Sequence, residues 1–140
     1  MEKEFNKDYT EKIKNKIDLL PELPNKKQTI KAINSMIILL NYCFLKKNNF
    51  FIDNFNNHVI KTIWKVYNTL KTNIIIDNKK DLFEGINSQE LKSIRFIISN
   101  VTNKYDYIKE NNSELCSLVS VNSLKRCLVL INAIIQKHQN

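Results

Sequence analysis

The sequence predicts an all-α protein: a compact single-domain bundle of five to seven helices over residues 1–140, with one very apolar helix near residues 28–45. Three observations lead there. Apolar residues recur at steps of three and four over long stretches, the spacing that lines one face of a helix. One Gly and two Pro leave little to build the φ > 0 turns of collagen-like, Gly-loop or many-hairpin β architectures. A content of 43% hydrophobic and 26% charged residues in 140 is ordinary for a soluble globular chain and argues against disorder.

The elements follow in order. Phe5, Tyr9, Ile13, Ile17 and Leu20 line a first helix, which Pro21 and Pro24 end and hold extended. Ile30, Ile33, Ile37, Leu40 and Phe44 line the second, and Met36, Ile38, Leu39 and Cys43 make it apolar nearly all round. A helix of that kind is expected to be surrounded by others. Lys46 to Asn49 is a polar connection. Phe55, Val59, Ile63, Val66 and Leu70 mark the third helix, widened by Ile60, Trp64 and Tyr67, with Asp53 as its candidate N-cap.

Asn73-Ile-Ile-Ile-Asp77 is the one β-like patch and suits a short strand or an extended connection. Leu82 and Phe83 predict a short helix that stops at Gly85. Asn87, with Glu90 three residues later, is a helix-start signal, and Leu91, Ile94, Ile98, Val101, Tyr105 and Ile108 form the cleanest stripe. Lys109 to Ser113 reads as the last loop. Leu115, Leu118 and Val119 open a final helical region, with a break and second cap expected near Asn122-Ser123, before Leu124, Cys127, Leu128, Ile131, Ile134 and Ile135. No internal repeat of solenoid period is present.

The formal net charge of +8 suggests an anionic partner, but composition weakens that inference. Asn, Ile and Lys supply 21, 20 and 20 residues, the vocabulary of an A/T-rich genome. Only Arg95 and Arg126 offer the planar fork that favours bidentate phosphate or guanine recognition. Counted by halves of the chain, the positive excess is evenly spread and reads as diffuse. Met1-Glu-Lys-Glu-Phe5 lacks the apolar run of a secretory signal. Met36 to Leu45 is about half of what a bilayer crossing needs. Three cysteines without a CxxC pair, Cys43, Cys116 and Cys127, predict a reduced, intracellular, cytoplasmic setting. Asn100-Val-Thr102 and Asn111-Asn-Ser113 match the glycosylation pattern by chance in such a setting.

Constellations that carry chemistry are thin. His58 and His138 have no second His or Cys ligand at i+3 or i+4, so zinc spacing is lacking and both read as surface histidines. Asp77, Asp81 and Glu84 share one helical face that suits a hard cation, but Lys79 and Lys80 lie between them, and capping of a short helix is the simpler account. The cysteines fall on or near apolar stripes and read as small core residues. One glycine excludes a P-loop or dinucleotide fold, and no nucleophile elbow occurs. The segment around Gly85 has helix-turn-helix spacing, yet Asp81, Glu84 and Glu90 oppose DNA there. No catalytic, cofactor-binding or metal-binding residue is assigned, and no cofactor is expected.

What remains is a non-enzymatic helical interaction module that takes a partner helix or peptide in an inter-helix groove. An apolar helix wrapped by amphipathic neighbours resembles, in architecture alone, the Bcl-2-like regulators, including those of A/T-rich large DNA viruses. The likeness implies a viral or parasite regulator of a host pathway. The chain lacks their Asn-Trp-Gly-Arg-type groove signature, since Lys65 follows Trp64 and Ile86 follows Gly85. The alternative expectation is nucleic-acid binding through dispersed lysines.

Overall fold

In the computed structural model, residues 8–17, 20, 26–46, 57–76, 81–111 and 113–139 are described. They form seven helices: α1 (Thr10–Lys14), α2 (Lys26–Lys46), α3 (Asn57–Ile75), α4 (Ser88–Asn103), α5 (Tyr105–Asn111), α6 (Ser113–Leu118) and α7 (Val121–Gln139). No strand occurs among the described residues, and the all-α expectation holds.

The four long helices close a ring in which α2 meets α3, α3 meets α4, α4 meets α7 and α7 returns to α2. Helices α1 and α6 add cover over α2. From Thr29 to Cys43 every residue of α2 is buried except Lys31, which is exposed, and Asn34, which is half-buried. Its near-continuous apolar surface is the sequence counterpart of that position. Each fully buried Ile, Leu or Met contributes about 1.5–3 kcal/mol of transfer free energy. Where α7 crosses α2, Ala32 is fully buried and accepts a hydrogen bond from the Cys127 thiol at 2.9 Å. A methyl side chain at that crossing lets the two backbones approach.

The α4 start is as the sequence requires. Asn87 Oδ1 accepts the Glu90 N–H at 2.8 Å, and Glu90 Oε1 accepts the Asn87 N–H at 3.0 Å, a reciprocal capping box. Behind it Leu91, Ile94, Ile98 and Val101 are buried. Lys16 on the segment after α1 reaches the end of α3, where its ammonium donates to the Asn73 carbonyl at 2.7 Å and to the Ile76 carbonyl. A cation there satisfies carbonyls that the helix leaves without partners.

Several boundaries differ from expectation. The first helix is short: Tyr9, Ile13 and Ile17 are buried as predicted, but regular helix stops at Lys14, and Phe5, Pro21 and Pro24 lie outside the described residues. Asp53, Phe55 and Asp77 also lie outside them. Asn73 to Ile75 is neither strand nor extended connection but the last turn of α3, because Ile74 points into the core and Asn73 bonds across to the following turn. Tertiary contacts there override the β preference of branched residues. Leu82 and Phe83 are buried in a hydrogen-bonded turn, not a short helix. Gly85 leaves that turn at φ +90°, a backbone conformation that disfavours any side chain.

The long fourth stripe is broken at Lys104, whose backbone leaves the helical region (φ −105°, ψ 17°), so Tyr105 and Ile108 belong to α5. The expected loop at Lys109 to Ser113 is almost wholly helical. The late break comes at Val119-Ser120, before Asn122-Ser123. Ser120 caps α7, its Oγ accepting the Ser123 N–H at 3.1 Å and its carbonyl the Leu124 N–H at 3.1 Å.

Candidate functional site

Folding sorts the charge that halves of the chain conceal. Helices α2, α3, α4 and α7 together carry twelve Lys and Arg and a single carboxylate, Glu90. Glu90 is itself neutralised by Lys65, whose ammonium lies 2.6 Å from its Oε1. The other described carboxylates sit on α1, α5 and α6, in the turn after α3, or just before α1. Even along the chain, the cationic excess of the described residues thus belongs to the four long helices, over all of which it is spread.

Five of these cations line two grooves beside α7. On its α2 side lies an open groove of about 600 Å³, lined by Lys31, Lys125 and Arg126 with Gln28, Ser123 and Val129 among its walls. On its α4 side a second groove of about 430 Å³ is lined by Lys92, Arg95, Phe96, Ser99, Leu128 and Asn132. No carboxylate lines either groove among the described residues. Arg95 Nη1 donates to Asn132 Oδ1 at 2.7 Å, which holds the guanidinium over the α4–α7 seam. The two arginines of the chain thus line the two grooves, one on each side of α7.

Two apolar side chains stand among these cations. Phe96 is 63% exposed and Val129 is 55% exposed. Phe96 also borders a smaller, mainly apolar cleft of about 260 Å³ between α3 and α4, with Val59, Thr62 and Ile97. Neither residue belongs to an apolar stripe, and that is the signal the sequence carries: Phe96 falls between Ile94 and Ile98, and Val129 between Leu128 and Leu130, on the outward arc of their helices.

The residues singled out for chemistry do not converge. His58 is exposed in the first turn of α3 and His138 exposed in the last turn of α7. Asp81 Oδ1 accepts the Phe83 N–H at 3.0 Å within its own turn, and Glu84 is exposed. No group of three His, Cys, Asp or Glu that could hold a metal occurs among the described residues. The segment before Gly85 is a turn, so the helix pair of a helix-turn-helix is missing. Cys43 and Cys127 are fully buried, and burial pushes both thiols far above their ordinary 9.0. Cys116 is half-buried and is also raised, chiefly by burial, against the opposing hydrogen bond with Tyr105 and the charge of Lys109. Tyr105 donates its hydroxyl to the Val119 carbonyl at 2.7 Å, and its pKa is pushed up to about 12 by burial and by Cys116. These groups brace the α5–α6 corner and offer no activated nucleophile. No described helix is long and apolar enough to cross a membrane. Comparison of the chain with protein-family models, with curated proteins and with solved structures finds no match.

Proposed function

We propose that the protein is a non-enzymatic binding module that works by protein–protein contact. The observation that supports this reading most is the outward placement of Phe96 and Val129 beside two inter-helix grooves around α7. Exposed apolar side chains rimmed by polar groups are the usual anchors of a macromolecular contact. Grooves between helices are the usual seat of a bound peptide or of one face of a helix. In this reading the chain, whose composition is that of an A/T-rich genome, is a viral or parasite regulator of a host pathway. The Bcl-2-like regulators are a class analogy for a wrapped apolar helix, by architecture alone.

The test is selection of a displayed random-peptide library on the folded protein, followed by titration calorimetry of the enriched peptides. Saturable one-to-one binding with Kd at or below about 100 µM is expected, equivalent to at least about 5 kcal/mol. Failure to enrich any such peptide overturns the reading.

A second reading rests on the twelve cations and one carboxylate of the long helices, which favour nucleic acid. It requires affinity for duplex or single strands that falls steeply as salt rises.

A further inference from the structure

We infer that the face formed by α7 and the adjoining sides of α2 and α4 recognises an acidic amphipathic segment, with carboxylates on the cations of both grooves and apolar residues against Val129 and Phe96. This rests on the binding-module reading and names the partner chemistry of that site.

Charge complementarity carries the argument. Lys31, Lys125 and Arg126 on one side of α7 and Lys92 and Arg95 on the other make five cations around one helix, with no acid lining the grooves among the described residues. Helix α7 itself contains no Asp or Glu over its 19 residues. In a chain with 20 Lys, the two arginines are the groups best shaped to take a carboxylate bidentately, and both stand here. Arg95 is already oriented by Asn132, which lowers the entropy lost when a ligand binds.

The apolar groups decide between anionic partners. A nucleic-acid backbone would use the cations and could stack a base on Phe96. It would leave exposed Val129 without a counterpart. A segment that alternates carboxylates with Leu- or Phe-like residues uses every group present. Its carboxylates would be attracted at long range, and its apolar side chains would hold it once docked.

The probe is a fluorescein-labelled synthetic helix with Glu and Leu on one face, compared with the same peptide carrying Lys for Glu and with labelled oligo-dT. Fluorescence polarisation on the full chain should show saturable binding of the acidic peptide that weakens as salt rises, and none of its Lys counterpart. The double variant R95E/R126E should lose at least tenfold in affinity, and Phe96→Ala several-fold. All three positions are at least partly solvent-exposed, so unchanged circular dichroism and melting confirm that the fold is intact. Acidic-peptide binding unaffected by R95E/R126E overturns the inference. So does oligo-dT binding more tightly than the peptide and losing affinity in R95E/R126E. The two readings fail separately. If library-selected peptides bind but carry no acidic bias and ignore R95E/R126E, this face is wrong and the binding module stands. If neither selected nor acidic peptides bind, both fall.

Discussion

Asn73, near the end of α3, donates its buried side-chain amide to the Leu82 carbonyl at 2.8 Å. The second amide hydrogen goes to the Glu84 carbonyl at 3.0 Å. One side chain thereby satisfies two carbonyls of a turn that has no helix to supply donors, while its own backbone carbonyl accepts from Lys16. Asn73→Ala should lower stability by about 2–4 kcal/mol, because it strands acceptors away from water. Asn73→Asp should cost more at neutral pH, since an ionised carboxylate has no hydrogen to donate. Chemical denaturation of the two variants checks the order.

The Glu90–Lys65 pair gives stability an acid limb. Burial alone raises the Glu90 pKa, but hydrogen bonds from the Lys65 ammonium and the Asn87 N–H, with the Lys65 charge, outweigh it and hold the carboxyl below its ordinary 4.5. A depressed folded-state value means that the contribution is complete above 4.5 and is lost as pH falls through the folded value. Glu90→Gln keeps an acceptor for the cap and removes the charge. It should cost under about 1 kcal/mol at neutral pH, as the pair is solvent-screened, and should flatten the acid limb of the melting curve.

Ile98 lies fully buried at the centre of the α4 stripe. Ile98→Asp should abolish cooperative melting, because an uncompensated charge there costs several kcal/mol. Ile98→Val should cost only about 0.5–1.5 kcal/mol. An unchanged melting temperature for the aspartate variant would put the core elsewhere.

Asn41 is a polar residue inside the most apolar helix. It is 3% exposed, and its Oδ1 has no hydrogen-bond partner among the described residues. Asn41→Leu should raise stability by about 1–2 kcal/mol, since it removes a desolvated acceptor at similar volume. Thermal melting measures the gain.

The thiols report on the α2–α7 seam. Iodoacetamide at pH 8 should label Cys116 slowly in the folded protein and leave Cys43 and Cys127 untouched, with all three labelled in denaturant. Mass spectrometry resolves the sites. Fast native labelling of Cys127 would show that its contact with Ala32 is open.

How much of this was legible beforehand depended on range. The α4 start could be read from Asn87 and Glu90 because its whole mechanism spans four residues. The burial of α2 could be read from its lack of a polar face. The end of α3 could not, because Asn73 finds its partners nine and eleven residues away and overrides the strand preference of the isoleucines beside it. The α7 cap was misplaced because Ser120, Asn122 and Ser123 all have capping side chains, and only the chain path selects among them. At the candidate site, Arg95 and Arg126 stand out in the sequence as its two guanidinium groups. Their places in grooves on either side of α7 cannot be read from the sequence, because 31 positions separate them and the grooves arise only when α7 packs on α4 and α2.

The hydrogen bond from Cys127 to Ala32 joins positions 95 apart. It also sets a schedule for biosynthesis. During translation α2 emerges well before α7, the helix that covers its Ala32 side. Until α7 emerges, the most apolar helix has only α1, α3 and the short α6 to lean on. Nascent chains halted before α7 should therefore engage chaperones or aggregate, and release should follow closely on the appearance of α7.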